Sequence, residues 1–485
     1  MPKFELQCHF NMDNRISDLY FTFTGHRPDS CTALTPSGSR RCYFRMKGED
    51  GSLIAVTGTD KDENRAFIST ASHFRSKGIN VPEVLAVSED GMCYLQEDLG
   101  DVILFDTMAS SRAEGQYSPE DRKILCRVMS ELPRIQIEGA EGMDFSVCYP
   151  SDSLNARMID FDLNYFKYCF LKPSAVEFNE ERLQDDFDAL KRDILEVPMD
   201  TFMYRDFQAR NVMLKAGEPW FIDFQGGRRG PVHYDVASFV WQARAAYPKD
   251  LKDAMVDAYL DALDKYVRTD KDEFKRTLRL FVLFRTLQVL GAYGFRGRIE
   301  KRAHFLESIP YAMDNLRELL SEPFARYPYL SAVLAELVAD QSGTVPVKQA
   351  DGLLEVHVIS FSFKKGVPED FTGNGGGYVF DCRSVHNPGK YERFRRSTGL
   401  DSDVQEFLEE DGEILTFLDN AYALVDAHVA RFVERGFTHL QVSFGCTGGQ
   451  HRSVYSAQKM AEHLAGRPGV KVHLTHREMK IDRYI

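Results

Sequence analysis

The sequence predicts an α+β chain in two folded parts: a larger one that opens in strands and continues in helices, and a small α/β part behind it. Three observations carry this. The 485 residues exceed what one hydrophobic core organises, and 43% apolar with 12% aromatic residues supply material for several. β-rich runs crowd the stretch before residue 100, whereas 118–340 shows helical spacing. The polar stretch Gln341-Ser-Gly-Thr-Val-Pro-Val-Lys-Gln-Ala-Asp-Gly352 carries Gly and Pro without periodicity, and strand and helix patterns alternate after it. The expected divisions are 1–100, 101–340, a linker at 341–352, and 353–485.

In chain order, Arg41–Lys47 and Ser52–Thr57 are β-rich runs joined by Gly48-Glu-Asp-Gly51, a hairpin signal. Ahead of them, Thr35-Pro-Ser-Gly-Ser-Arg40 is a small-residue turn whose backbone can approach phosphates; taken alone it reads as an ordinary polar loop. Asp62–Lys77 has apolar residues at Ala66, Phe67, Ala71 and Phe74, the spacing of a helix. Ile79–Val87 and Met92–Gln96 follow as strands. In the helical half, Leu163, Phe166 and Phe170 recur at helical spacing and belong to a core. The run 280–298 reads as a buried helix ending at glycines. In the rear part, Leu354–Phe363, Gly377–Asp381 and Thr438–Phe444 read as strands and Glu413–Arg435 as a helix.

Sixty Lys+Arg against 73 Asp+Glu give a net charge of -13, which opposes general binding to a polyanion or an anionic membrane. Residues 353–485 hold 16 basic and 18 acidic residues, a net of -2, so the first 352 hold the other -11. Eight of the 13 histidines also lie in that last segment. The nine cysteines are scattered without a CxxC pair, the usage of a reducing compartment. The N-terminus carries charge too early for a secretory signal, and no stretch approaches the roughly 20 apolar residues of a membrane span. A cytoplasmic protein with no membrane partner is expected.

The chemistry sits in Phe202-Met-Tyr-Arg-Asp-Phe-Gln-Ala-Arg-Asn-Val-Met-Leu214, which places Asp206 and Asn211 five residues apart before an apolar strand. A short turn at 215–219 returns the chain through Trp220-Phe-Ile222 to Asp223. Two carboxylates and an amide around a hairpin suit Mg²⁺, which takes few protein carboxylates and completes its shell with phosphate and water. A carboxylate beside a hydroxyl can orient it and accept its proton late in phosphoryl transfer.

The strings YRDFQARNVML and WFIDFQGGRRGPVHYDVASF resemble the catalytic loop and metal segment of aminoglycoside phosphotransferase-like kinases. They are most similar to the branch that phosphorylates N-acetylmuramate and N-acetylglucosamine at the anomeric carbon. The resemblance extends over about 15–335, including GINVPEVLAV and LQEDLGD. It implies a protein-kinase-like bilobal domain, 1–100 being the N-lobe and 101–340 the helical C-lobe, with ATP and Mg²⁺ as cofactors and an amino sugar as substrate. By motif, Asp206 is the catalytic base, Asn211 a Mg²⁺ ligand and Asp223 the principal Mg²⁺ ligand. Gln96, Glu97, Asp98 and Leu99 form the adenine hinge, and Ser37, Gly38, Ser39 and Arg45 are placed at the nucleotide. Arg210 and Gln225 are candidates for sugar or phosphate contacts. Asp235 reads as a structural N-cap of the helix after it. Two departures stand out: Tyr204 occupies the usual histidine position, and Leu53-Ile-Ala-Val-Thr57 lacks the lysine that binds the α/β-phosphates. The lysine's absence leaves a non-catalytic regulator as the alternative. Arg41, Arg45 and Lys47 on the preceding strand are candidate substitutes, and Glu63 lacks a lysine partner.

In the rear part, Gly445-Cys-Thr-Gly-Gly-Gln-His-Arg-Ser453 lies between a strand and a helix. There, exposed backbone N–H groups and the helix dipole collect an anion. The spacing Cys446-x5-Arg452-Ser453 is also that of cysteine-dependent phosphatases. The longer string VSFGCTGGQHRSV, with DCRSVHNPG and FSFKKGVP, resembles the C-terminal domain of RapZ over nearly all of 353–478. That resemblance implies binding of glucosamine-6-phosphate and of a regulatory RNA. By motif, Thr447, Gly448, Gly449, His451 and Arg452 hold the phosphosugar, with Arg383, His386 and Asn387 nearby. Lys390–Arg396 is a basic patch with aromatics that fits an RNA or protein partner, and equally a solvated helix face.

Overall fold

The computed structural model describes residues 14–34, 41–49, 51–174, 176–339, 353–368, 370 and 377–485. Ser37, Gly38, Ser39 and the expected linker 341–352 lie outside them. The chain divides into two compact units, one built from 1–299 and 308–343, the other from 300–307 and 344–485.

The first unit opens with helix α1 (Asn14–Thr24) and a five-stranded antiparallel sheet in the order β1-β2-β3-β5-β4. Its strands are β1 (Ser30–Ala33), β2 (Cys42–Gly48), β3 (Gly51–Thr57), β4 (Val84–Val87) and β5 (Cys93–Glu97). Between β3 and β4 runs α2 (Lys61–Ser76). Asp60 caps it by accepting from the Asp62 and Glu63 N–H groups, and it buries Ala66, Phe67, Ala71 and Phe74. The strand expected from Ile79 starts only at Val84. Pro82 supplies no N–H for a ladder, and Ile79 N–H caps the end of α2 through the Phe74 carbonyl. Asn80 instead accepts from Phe221 N–H and donates its Nδ2 to the Pro219 carbonyl.

The helical half comprises α3 (Pro119–Ile137), α4 (Ala156–Phe166), α5 (Glu180–Leu195), α6 (Val232–Val240), α7 (Lys249–Leu263), α8 (Lys271–Tyr293), α9 (Ile309–Leu320) and α10 (Pro328–Ala339). α4 and α8 each run on into a π-helical turn, at Lys167–Leu171 and Gly294–Ile299. The α-helical run ends at Tyr293 with Gly294 as its C-cap, as expected, and its glycines also serve close packing. A Cβ on Gly291 would lie 2.7 Å from the Phe166 nitrogen, and one on Gly294 only 2.1 Å from the Cys169 carbonyl oxygen. Lys271–Ile299 is, against expectation, long and apolar enough to cross a bilayer. Its apolar face (Phe274, Leu278, Phe281, Phe284, Leu287 and Leu290) is buried within the unit, as in the core helix of a globular fold.

The second unit is a five-stranded sheet in the order β11-β12-β10-β13-β14. Its strands are β10 (Leu354–Ser362), β11 (Gly377–Asp381), β12 (His439–Cys446), β13 (Val470–His476) and β14 (Ile481–Tyr484). The first four in spatial order are parallel and β14 is antiparallel. Helices α11 (Ser402–Glu409), α12 (Glu413–Glu434) and α13 (Arg452–Leu464) contribute Leu408, Leu418, Val425 and Met460 to one core with Val356, Val358, Val442 and Phe444. The alternation along β12 does not separate core from solvent: His439, Gln441 and Ser443 are buried like their apolar neighbours, because a central parallel strand is covered on both faces. The opposite face carries a polar row, Glu355 and His357 beside His439, His473 and Asp482. Burial first, then the neighbouring His473 and His439, hold the His357 pKa down at about 3.

Candidate functional site

In the first unit, β6 (Thr201–Met203) pairs antiparallel with β9 (Arg228–Gly230) and delivers the chain into the segment 204–211. The β7 (Val212–Lys215) and β8 (Glu218–Phe221) hairpin then returns it to Asp223. Three non-glycine residues at the bends take left-handed backbone angles, Arg205 at φ 76°, Ala216 in the hairpin turn at φ 53° and Asp223 at φ 68°. Such angles cost of order 1–3 kcal/mol each and persist only where surrounding contacts enforce them.

The enforcing contacts are visible. Asp235 lies within α6, whose N-cap is Pro231, so the expected capping role is corrected. Its carboxylate reaches the segment 204–211 and accepts Tyr204 N–H at 2.8 Å, Arg205 N–H at 2.9 Å and Gln136 Nε2 at 3.2 Å. Burial pushes its pKa up to about 7 against these hydrogen bonds. Tyr204 fills the histidine position with a buried ring, and its hydroxyl donates to the Ile222 carbonyl just before Asp223. Asn211 donates Nδ2 to the Asp206 carbonyl at 2.7 Å and accepts Ile222 N–H on its own carbonyl at 3.0 Å. Phe224 stacks on Phe67 of α2 at 4.7 Å. Asp206, Asn211 and Asp223 are thus tied into one constellation.

Arg285 of α8, 79 residues from Asp206 in sequence, donates Nη2 to Asp206 Oδ1 at 3.3 Å and Nε to Ser238 Oγ at 3.2 Å. Burial works to raise the Asp206 pKa, yet Arg285, Arg205, Arg210 and Arg296 together hold it below the ordinary carboxylate value. Asp223 is raised, by burial first and then by Asp206, against a hydrogen bond from Gln225 Nε2 at 2.7 Å. Gln225, a candidate for sugar contact, spends its amide there. A desolvated carboxylate beside a second one and a side-chain amide is a donor set of the kind Mg²⁺ takes, so these residues fit the expected ion.

Arg45 does not reach toward the constellation: Asp98 and Asp101 hold its guanidinium at 2.7 and 2.6 Å. Within the expected hinge, Asp98 is engaged by Arg45 and Ser52, and Glu97 by Lys215. Gln96 and Leu99 are buried, and the Gln96 Oε1 has no hydrogen-bond partner among the described residues. Arg41, one of the candidate substitutes for the strand lysine, lies against Glu63. It is 1% exposed, its Nη2 donates to the Glu63 carbonyl at 2.9 Å, and its Nε lies 3.5 Å from Glu63 Oε1. Its charge also acts on Asp223. On α4 and the π-helical turn after it Leu163, Phe166 and Phe170 are core residues, Asp162 is buried 3.8 Å from Arg205, and Phe161 and Tyr168 are exposed.

In the second unit, β12 ends at Cys446 and α13 begins at Arg452, with the glycine loop between them. Gly449 has φ 68°, and a Cβ there would lie 2.4 Å from Glu478 Cγ and 3.0 Å from the Ser362 nitrogen. Cys446 is buried; its Sγ accepts Gly449 N–H at 3.2 Å and lies 3.2 Å from Ser453 Oγ. Burial opposes its ionisation, but these contacts and Arg452 bring its pKa below the ordinary thiol value.

Beside the loop is a cavity of about 580 Å³ lined by Arg383, Ser384, Val385, His386, Asn387, Lys390, Glu413, Thr447 and Arg452. Five of the expected residues therefore meet: Arg383, His386, Asn387, Thr447 and Arg452. Gly448, Gly449 and His451 do not line it. His451 turns its Nε2 to the Phe394 carbonyl at 2.9 Å. Ser384, Val385, Lys390 and Glu413 line it without having been expected, Glu413 from the start of α12. Arg452 donates Nη1 to the Val385 carbonyl at 2.8 Å, and its buried Nε has no partner among the described residues. Arg383 is paired with Asp381 at 2.6 Å.

Residues 36–271 match the family described as phosphotransferase enzyme family, and 354–480 match the RapZ C-terminal domain. A nucleotide-binding protein of Xylella fastidiosa is 31% identical over 237 residues, 46% of this chain and 76% of that protein. One from Finegoldia magna is 33% identical over 177 residues, which span 36% of this chain and 60% of its own length. Among solved structures, a choline/ethanolamine kinase family protein from Mesorhizobium loti is 13% identical, with a TM-score of 0.42. That alignment covers 65% of this chain and 94% of the other.

Proposed function

We propose, for a chain that carries a phosphotransferase-enzyme-family domain and belongs through its RapZ C-terminal domain to the family of the nucleotide-binding proteins it matches, that the first unit transfers the γ-phosphate of Mg-ATP to a hydroxyl of an amino sugar. The acceptor class is N-acetylhexosamine or N-acetylmuramate, at the anomeric hydroxyl. The observation that carries this reading is the constellation of Asp206, Asn211 and Asp223 with Arg285 against Asp206.

Mg-ATP, when bound, supplies the phosphoryl group and offsets the charge that develops on it. Asn211 and Asp223 are the residues that would hold the ion. Asp206, kept ionised by four arginines, orients the acceptor hydroxyl and takes its proton late in transfer. Arg285 fixes one Asp206 oxygen, and Asp235 fixes the backbone that presents it. Arg41 with Glu63 replaces the missing strand lysine as the buried cation beside the phosphate site, and this favours catalysis over the regulator reading.

The second unit, in the same reading, binds a phosphosugar such as glucosamine-6-phosphate, with Thr447 and Arg452 at the phosphate and Arg383, His386, Asn387 and Lys390 around the sugar. Cys446 then serves to close the loop, since its Sγ is buried and occupied by Gly449 and Ser453. The cytoplasmic location expected from sequence belongs to this proposal.

The test incubates pure protein with Mg-ATP and a panel of N-acetylated hexoses, N-acetylmuramate included, with Asp206→Asn as control. Sugar-dependent ADP release that the substitution abolishes is expected. Without it, the first unit is a non-catalytic regulator. Turnover of p-nitrophenyl phosphate lost in Cys446→Ser would instead make the second unit a phosphatase.

A further inference from the structure

Eight of the 13 histidines fall in the rear part, yet only His386 and His451 belong to the cavity or its loop. Three of the others, His357, His439 and His473, lie on one face of the sheet, on β10, β12 and β13. His357 and His473 are cross-strand partners with rings stacked at 4.3 Å, and β14 brings Asp482 diagonally beside them. The His357 and His473 nitrogens and an Asp482 oxygen all lie within 4.8 Å of one another.

We propose that His357, His473 and Asp482 form a site for one first-row transition-metal ion of the Zn²⁺ class, which fastens the final strand to the sheet. Two imidazoles and one carboxylate are a donor set that suits Zn²⁺ and its neighbours and does not suit Mg²⁺ or Ca²⁺, which prefer all-oxygen shells.

Hydrogen bonds hold the three donors close to one another. His473 Nε2 lies 2.6 Å from Asp482 Oδ1, and its Nδ1 lies 3.6 Å from Glu355 Oε1. Asp482 Oδ1 also receives the Thr475 hydroxyl at 2.7 Å, and Thr475 Oγ1 lies 2.8 Å from His357 Nε2. A neutral imidazole has one N–H to give. At 2.6 Å the Nε2 contact with Asp482 is a hydrogen bond, and Glu355 stands beyond hydrogen-bond distance of Nδ1, so an ion would take over Nε2 and the carboxylate by displacing that bond. A carboxylate behind the second nitrogen is also the usual orienting partner of a metal-bound histidine. Binding an ion requires the Thr475 hydroxyl, which bridges Asp482 and His357, to turn aside. Three ligands from three strands leave a position for water or an exogenous donor, on the side where Asp482 is 64% exposed. A His473 hydrogen-bonded to Asp482 would hold the same groups together without metal, and the experiment separates the two.

The full-length protein, stripped with chelator, is titrated with Zn²⁺ by calorimetry, and with Co²⁺ by visible absorption. The expected result is one tight Zn²⁺ per chain, with tetrahedral-type Co²⁺ bands. Affinity should fall about tenfold or more in His357→Gln, His473→Gln and Asp482→Asn, and stay unchanged in His439→Gln. Asp482 sits on an exposed edge strand, so Asp482→Asn stays informative if a histidine variant fails to fold. Failure to retain Zn²⁺ at micromolar concentration, or retention unaltered by Asp482→Asn, overturns the proposal in favour of the hydrogen-bonded His473 or a site elsewhere.

Discussion

Asp235 offers the sharpest handle on the first unit. Its carboxylate receives two backbone N–H groups, from Tyr204 at 2.8 Å and Arg205 at 2.9 Å. Hydrogen bonds to a charged group contribute about 1.5–3 kcal/mol each. Together they exceed the 1–2 kcal/mol or so by which a non-glycine residue such as Arg205 resists a left-handed angle. In Asp235→Asn one oxygen becomes an NH₂ that faces a backbone donor, so one bond is lost and the other weakens to a neutral bond of about 0.5–1.5 kcal/mol. The strain is then no longer offset, the bend at Arg205 relaxes, and Asp206 moves with it. We expect kcat to fall about 100-fold with little change in the KM for ATP, since roughly 1.4 kcal/mol is a factor of ten.

The same carboxyl gives a pH signature. All three partners are donors, so the working form is the ionised one, and burial lifts its pKa to about 7. Activity therefore falls as pH drops through about 7. Stability moves the other way. A carboxyl whose folded pKa is raised contributes stability that is fully present below its unfolded value of 3.8, and that contribution is lost as pH rises through 7. The gap corresponds to about 4 kcal/mol. Urea unfolding between pH 4 and 8, wild type against Asp235→Asn, isolates that slope from other groups. Unaltered turnover in the variant, or identical pH slopes in the two proteins, would refute the reasoning.

Three further outcomes follow from individual residues. His233, stacked on Phe274 at 4.2 Å, is held by burial at about 4 against an ordinary 6.5. It stays neutral in the fold, so its contribution is intact above pH 6.5 and about 3 kcal/mol is lost as pH falls to 4. His233→Phe should flatten that acid limb in urea melts, and an unchanged limb would assign it elsewhere. Gly449→Ala forces a Cβ to within 3.0 Å of the Ser362 backbone at φ 68°, so glucosamine-6-phosphate binding by calorimetry should weaken at least tenfold; wild-type affinity would show that the loop shape is immaterial. Arg41→Gln should raise the KM for ATP about tenfold or more, whereas Arg45→Gln, whose side chain is held by Asp98 and Asp101, should change it little. The reverse order would restore Arg45 as the phosphate residue.

What the sequence determined by itself is local. Asp206 and Asn211 sit five residues apart, a tight turn returns the chain to Asp223, and Cys446 to Arg452 encloses a glycine loop between strand and helix. Such motifs are legible because a turn or a loop fixes its residues' geometry within a few positions. The hairpin at 48–51 is legible for the same reason, and the helix over 62–77 from the spacing of Ala66, Phe67, Ala71 and Phe74. Tertiary structure alone decided which distant side chains complete these motifs. Arg285 comes to Asp206 from a helix 79 residues on, Arg41 comes to Glu63 on α2, and Asp235 turns from a supposed cap into the anchor of the bend at Arg205. Glu413 reaches the cavity beside the glycine loop from the start of its helix, and His451, placed by motif in that cavity, turns instead to the Phe394 carbonyl. His357, His473 and Asp482 are scattered over 126 residues and meet only through strand register. Sequence periodicity tells which face a residue occupies, whereas register and helix packing choose its neighbours, and charge or hydrogen-bond complementarity acts only once they are neighbours.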